Sequence, residues 1–406
     1  MTRRLSWIAL AGLLVLPACD GVELASDAAV DASPRVDAPP TPDAGPPEDL
    51  DGFVEHHMVA GGLPGVAAAI VRPDGVAWTG TYGYADLESE RPVDEHTLFI
   101  MASVSKTIAA VRAMQLVEAG QLDLDAPVET YLDFTPRHPE HPDAPITTRM
   151  LLNHVSGLTD SFGTLAEVTT VGDPTETLGG FAEGYCVEGG AYYDAEDNWG
   201  AAPGTERAYC NAGYGVVGHV LERAGGGSLR AQSEAAIFAP LAMDGAGWFL
   251  ADVDEDRVAT PYAWNGRRYN PLPHNGFAFY PASSLRVSVA GLSRFARMLL
   301  NGGALDGTRV LDEASVEELL RPQIPAIDGR QALTFRERRV AGHLYVGHSG
   351  STFGGSTQLL LGREGTHAIL LFTNSDAYVR SRLGIEEGAR AMEAILERLA
   401  AEARVE

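Results

Sequence analysis

The sequence predicts an α+β fold in which one antiparallel sheet is built from both ends of the chain, with a helical domain inserted between them. Three observations carry this. Residues 65–71 and 76–84 are apolar runs joined by the turn Arg72-Pro73-Asp74-Gly75, the signature of a hairpin. Near the other end, residues 356–361 and 366–373 repeat the pattern across Arg363-Glu364-Gly365. Between the two hairpins the apolar spacing is mostly helical.

Taken in order, a short helix is expected over residues 49–60, ahead of the first hairpin. Residues 103–119 form the next helix, stopped by Gly120. Apolar side chains surround it (Ile108, Val111, Met114, Leu116, Val117), and only Arg112, Gln115 and Glu118 make a polar stripe. Such a helix belongs in the centre of a core. Helices follow over 148–153, over 214–224 with Gly225 as the stop, and over 289–300 ahead of Asn301-Gly302-Gly303. Leu344-Tyr345-Val346 reads as a strand, and an amphipathic helix over 385–401 closes the chain. The sheet part then takes residues 50–96 and 275–400, and the helical part takes 97–274.

The amino terminus reads as an export signal. Arg3 and Arg4 precede an apolar run over residues 5–16, too short to span a bilayer as a mature helix. Leu16-Pro17-Ala18-Cys19 then resembles a bacterial lipoprotein processing site, in which the Cys19 thiol carries a diacylglyceryl group. Ordinary secretory cleavage near Ala18 is the alternative. On the first reading residues 1–18 are the signal peptide, Cys19 is lipidated, and 19–49 are a disordered tether rich in Asp, Ala and Pro. The protein is expected in the cell envelope, facing periplasm or exterior, and held to a membrane through the lipid alone.

Composition narrows the partners. With 406 residues, 45% of them hydrophobic, the chain can bury a large core. Its formal charge of −25 excludes an electrostatic grip on nucleic acid or on an anionic membrane surface. Among 30 basic residues a single one, Lys106, is lysine.

That lysine stands in Ser103-Val104-Ser105-Lys106, at the start of the central helix. A spacing of three puts Ser103 and Lys106 on one face, about one turn apart. A serine nucleophile needs a group to take its proton, and a lysine can do so once burial favours its neutral amine. Arginine cannot, because its guanidinium stays protonated. On its own the pattern is weak, and company strengthens it. Tyr209-Cys210-Asn211 lies between Pro203-Gly204 and Ala212-Gly213. If extended, it shows Tyr209 and Asn211 on one side and Cys210 on the other. His348-Ser349-Gly350 ends an apolar strand, where the glycine would let a substrate approach the backbone.

The order Ser-x-x-Lys, Tyr-x-Asn, His-x-Gly resembles the penicillin-binding and class C β-lactamase family of serine hydrolases, with its D,D-carboxypeptidase, D-aminopeptidase and esterase branches. Leu151-Leu152-Asn153-His154-Val155-Ser156-Gly157-Leu158 looks alike too. The resemblance implies a β-lactamase/transpeptidase-like fold and an acyl-enzyme mechanism without cofactor or metal. By similarity Ser103 is the nucleophile, Lys106 its base partner and Tyr209 the proton relay to the leaving group. Asn211 would orient the substrate amide, and the backbone N–H groups of Ser103 and Ser351 would form the oxyanion hole. His348 stands where many members carry Lys, which removes a permanent cation for a β-lactam carboxylate. D-amino-acid peptides or peptidoglycan fragments are the substrates implied, with β-lactams as acylating ligands. The alternatives are a carboxylesterase and a catalytically silent surface binding protein.

Rival motifs carry less. Gly347-His348-Ser349-Gly350-Ser351 nearly matches a nucleophile elbow, but its fifth residue is Ser351 and no acid-then-His order follows. His138-Pro139-Glu140-His141 has prolines that forbid the helix needed to align two metal-binding imidazoles. In an oxidising compartment Cys186 and Cys210 are expected to pair, closing a loop worth about 3 kcal/mol; two buried thiols are the alternative. Finally, no Lys or Arg occurs between Arg149 and Arg207, where Asp160, Glu167, Asp173, Glu176 and others crowd. This reads as a solvated acidic loop or as a wall that attracts a cationic group.

Overall fold

The computed structural model of the chain describes residues 45–405 and the short strand Val36–Asp37. The expected signal peptide, Cys19 and most of the tether lie outside the described residues. Within the tether segment, Val36 and Asp37 pair antiparallel with Tyr269 and Arg268. No helix of the described residues is long and apolar enough to cross a membrane.

A seven-stranded antiparallel sheet joins the two ends of the chain. Its strands are β1 (Gly65–Arg72), β2 (Gly75–Asp86), β3 (Arg91–Pro92), β4 (Arg336–Val340), β5 (His343–Thr352), β6 (Gly355–Gly362) and β7 (Ala368–Thr373). Their order across the sheet is β4-β5-β6-β7-β1-β2-β3. The amino-terminal and carboxy-terminal hairpins meet where β7 pairs with β1, with Leu370 opposite Ala69. Six helices position the site: α1 (Leu50–Ala60), α2 (Ser105–Glu118), α3 (Leu178–Cys186), α4 (Ala212–Gly225), α5 (Val289–Leu300) and α6 (Glu387–Glu402).

The unbroken apolar run of β1 follows from burial on both faces. Val66, Ala68 and Ile70 pack with Val54 of α1 and Met392, Ile395 and Leu399 of α6. Ala67, Ala69 and Val71 face the larger core shared with the helical part. At the centre of that core α2 is buried from Ser105 to Val111, as its all-round apolar pattern implies. The expected layout therefore holds, a sheet from both termini around inserted helices.

β4 and α3 are among the elements that have no counterpart in the sequence reading. β4 is Arg336-Glu337-Arg338-Arg339-Val340, with no apolar alternation. It is an edge strand, where charges are tolerated on the open flank, and Arg338 reaches Glu393 of α6 at 2.7 Å. α3 falls inside the acidic stretch and contains Gly179, Gly180 and Gly184. Thr177 caps it through Gly180 N–H at 3.0 Å, and it buries Phe181, Tyr185 and Cys186. Packing of these large side chains outweighs the poor helix propensity of glycine.

Candidate active site

Ser103 lies on the 3₁₀ turn Ala102–Val104, which runs directly into α2. The turn starts with Ala102 at φ 46°, a left-handed conformation that costs an alanine about 1–2 kcal/mol. Neighbouring strands hold it there. Met101 N–H donates to Leu285 O at 2.8 Å, and Met101 O accepts from Thr357 Oγ1 of β6 at 2.7 Å. Gly350 completes the clamp. A Cβ at that position would fall 2.1 Å from Thr357 Oγ1 and 2.3 Å from Met101 O. The glycine lines the cleft, and its missing Cβ also makes room for the nucleophile-bearing turn.

Lys106 is fully buried one turn along α2. Its Nζ lies 3.2 Å from Ser103 Oγ, 2.7 Å from Asn211 Oδ1 and 2.9 Å from Ala282 O. Burial is the largest influence on this amine and brings it down to about 7, against the opposing pull of Asp160. A neutral amine has two N–H donors and one lone pair. Asn211 and Ala282 offer only carbonyl oxygens and so take the two donors, which leaves the lone pair directed at Ser103 Oγ.

The Tyr209 phenol lines the same cleft as Ser103, and the two side chains interact. Desolvation of the phenol raises its pKa above the ordinary tyrosine value, and the neighbouring Ser103 offsets this in part. Its ring lies 4.3 Å from the buried His154 ring and 5.0 Å from Lys106 Nζ. His154 takes a left-handed backbone at φ 59° and accepts Cys210 N–H on Nδ1 at 3.1 Å. It is thus a support for the Tyr209 segment that the sequence reading quoted without a role.

Asn211 is not extended but adopts helical angles at the start of α4. Its amide is engaged at both ends, since Nδ2 donates to Asp160 Oδ2 at 2.7 Å while Oδ1 accepts from Lys106. Asp160 Oδ1 also accepts the backbone N–H groups of Asn211 at 2.6 Å and Ala212 at 2.9 Å. Burial pushes this carboxyl up, and the donors around it together with Lys106 pull it back. Asp160 therefore leaves the acidic stretch for the heart of the site.

The expected Cys186–Cys210 bridge is corrected. Both cysteines are free buried thiols. The Cys210 thiol lies beside Asp160, and its sulfur accepts Gly213 N–H at 3.2 Å. Cys186 sits in the apolar core on α3. Burial raises the pKa of both thiols, Cys186 to about 12.

β5 forms the opposite wall. It pairs with β4 only as far as Gly347, so its flank beyond is open. The two-residue turn Phe353-Gly354 sets the ladder parity and directs Ser351 N–H and Ser349 C=O away from β6, toward that flank. Gly347-His348-Ser349-Gly350-Ser351 is thus an edge strand and no elbow. His348 donates from Nδ1 to Ser349 O at 2.7 Å. Burial and the Lys106 charge lower its pKa to about 3, so the ring is neutral with Nε2 unprotonated. Ser103, Asp160, Tyr209, Asn211, His348 and Ser351 line one cleft of about 840 Å³. Its outer part is flanked by Arg207, Arg336, Arg338 and Arg382.

Among the described residues no cluster of His, Cys, Asp and Glu could hold a metal ion. His138 is spent inside the fold, with Nε2 on Gly200 O at 3.0 Å and Nδ1 on Glu140 N–H at 3.2 Å.

Fold and site together define a β-lactamase-like active-serine protein. The Beta-lactamase family model matches residues 50–390, and the chain belongs to that family. Among relatives, it is 34% identical over 209 residues to Esterase EstB of Burkholderia gladioli, covering 49% of this chain and 50% of that protein. It is 37% identical over 98 residues to the human mitochondrial serine beta-lactamase-like protein LACTB, covering 24% of this chain and 18% of that one. These alignments span half or less of those relatives. Penicillin-binding protein 4 of Amycolatopsis lactamdurans is 29% identical over 276 residues, covering 66% of this chain and 67% of the relative. D-amino acid amidase from Ochrobactrum anthropi SV3 superposes with a TM-score of 0.65 at 21% identity, covering 88% of this chain and all of the other. A penicillin-binding protein homologue from Pyrococcus abyssi gives 0.66 at 22% identity, covering 87% and 77%. At such identities the likeness to solved structures concerns the fold.

Proposed function

We propose that the protein is a serine hydrolase that cleaves small acyl substrates through an acyl-enzyme on Ser103, with esters its best substrates. The observation that carries this is the buried Lys106 amine, 3.2 Å from Ser103 Oγ and supplied with two other acceptors. In its neutral form Lys106 removes the hydroxyl proton as Oγ attacks the substrate carbonyl. The oxyanion is received by the N–H groups of Ser103 and Ser351. Tyr209, protonated at neutral pH, gives its proton to the leaving group and regains one from Lys106. Water then cleaves the acyl-enzyme by the reverse route.

Two features favour esters. The Asn211 amide, which would hold the acylamino carbonyl of a peptide, is engaged by Asp160 and Lys106. His348 is uncharged, so it offers no cation for a carboxylate. A second reading, D-amino-acid peptides with β-lactams as acylating ligands, draws on the arginines flanking the outer cleft. The likeness to a D-amino acid amidase points the same way.

Labelling with a fluorophosphonate and with a fluorescent penicillin tests the nucleophile, and both adducts should vanish in Ser103→Ala. For substrate class, kcat/KM for p-nitrophenyl butyrate should exceed that for an acyl-D-Ala-D-Ala peptide by about 100-fold. A peptide turned over faster would transfer the assignment to the second reading. Absence of any adduct and any turnover would favour a silent binding protein.

Export with a lipid anchor in the cell envelope is a separate proposal, resting on Arg3, Arg4, the apolar run and Cys19. Palmitate fed to expressing bacteria should label the wild type and not Cys19→Ala. A wild type that takes up no label would refute the anchor.

A further inference from the structure

Among the described residues Asp160 is a carboxylate held against Asn211 beside Lys106, and nothing in the proposed chemistry uses it directly. Its oxygens accept from Asn211 N–H, Ala212 N–H and Asn211 Nδ2. Asn211 makes no side-chain cap for α4, so Asp160 caps that helix from outside. The third bond has a further consequence. An amide is two-faced, with a donor on one branch and an acceptor on the other. With Nδ2 tied to Asp160, Oδ1 must point to Lys106.

We propose that Asp160 is a positioning residue that fixes the orientation of the Asn211 amide, so that the Lys106 lone pair is aimed at Ser103 Oγ. This rests on the reading of Ser103 and Lys106 as nucleophile and base. If Asn211 turned over, Nδ2 would meet the amine. The lone pair would then accept from Asn211 and be lost to Ser103.

Asp160 also supplies charge. The groups facing Lys106 are Asp160, Cys210, the rings of Tyr209 and Tyr214, and the imidazoles of His154 and His348. Burial favours the neutral form of the thiol, of both phenols and of both imidazoles. The three N–H donors on Asp160 favour its carboxylate form against the burial that pushes its pKa up, and as a carboxylate it is the countercharge to Lys106 within this group. Removing it should lower the pH at which Lys106 deprotonates.

Asp160→Asn is the informative variant. The new amide can keep both backbone N–H groups on its oxygen and so preserve the cap. Its NH₂ faces the NH₂ of Asn211, and Asn211 must turn. The acylation rate on its alkaline plateau should fall about 100-fold or more, and the acid limb of the pH profile should move to lower pH. The exchanged pair Asp160→Asn with Asn211→Asp restores an acceptor toward Lys106 and a donor between the two side chains. It should recover much of the plateau rate while its acid limb moves to higher pH, because the carboxylate now touches the amine. A role in capping alone predicts wild-type rate and pH profile for Asp160→Asn.

The solitary lysine gives a readout that needs no turnover. Protein grown on lysine labelled with ¹³C at Cε carries label at Lys106 only. Its chemical shift should titrate at lower pH in Asp160→Asn and at higher pH in the exchanged pair than in wild type. Identical titrations and unchanged rates would overturn the proposal. If instead wild type shows no acylation, the hydrolase reading fails, and the lysine titrations still decide the role of Asp160.

Discussion

Lys106→Arg is expected to leave the fold and net charge intact while acylation of Ser103 falls by about 10³–10⁴-fold, the upper range for loss of a positioned base. The site calls for a cation that can give up its proton, and Lys106 meets this because burial brings its pKa to about 7. A guanidinium remains protonated under the same burial, and all its nitrogens donate. It could still bond Asn211 Oδ1 and Ala282 O, yet would present no lone pair to Ser103. The pH profile carries the same argument. The amine is a base only when neutral, so wild-type acylation should be low below about 7 and rise through that value to a plateau. Because the Tyr209 phenol is held above its ordinary value, the plateau should persist into mildly alkaline pH. Lys106→Arg should lack the rising limb altogether. Stopped-flow acylation across pH, with thermal melting to verify folding and Lys106→Gln as a smaller neutral control, checks this. Wild-type acylation in Lys106→Arg would show that another group is the base.

How far the sequence reaches is visible at this site. Ser103 and Lys106 are legible because they are three apart on one helix, so local geometry alone brings them together. The rarity of lysine in this chain draws attention to the position, and full burial of its amine shows that composition bias does not account for it. Tyr209, Asn211 and His348 are legible by resemblance, and all three line the cleft. Asp160 is not legible. It stands among carboxylates of equal appearance, and what separates it from Glu167 or Asp194 is the fold that sets residue 160 against residue 211. Gly350 has a second reason that the sequence did not show, since its missing Cβ also admits Met101 and Ala102. The same limit hid β4, whose Arg338 finds its partner Glu393 far along the chain. Cysteine count and compartment suggested a bridge, but could not reveal that the fold leaves both thiols free and buried, with Cys210 beside Asp160.

Tyr209→Phe should separate proton donation to the leaving group from activation of the nucleophile. The phenol is protonated at neutral pH, so in the forward step it is an acid and Lys106 is the base. Removing one hydroxyl leaves the ring against His154 and the cation–ring contact with Lys106, so the local packing is kept. An alkyl ester or an amide expels a strongly basic leaving group and needs that proton. For these substrates acylation should fall by about 10²–10⁴-fold. A p-nitrophenyl ester expels a stable phenolate that needs none, and its acylation burst should fall by no more than about tenfold, reflecting the lost polar interaction with Ser103. The measurement is therefore a comparison of pre-steady-state acylation across esters of graded leaving-group basicity. The dependence on basicity should be much steeper in Tyr209→Phe than in wild type. Parallel lines displaced by a constant factor would mean that Tyr209 serves Ser103 activation. The acid for the leaving group would then have to be Lys106 itself, returning to the departing oxygen the proton it took from Ser103.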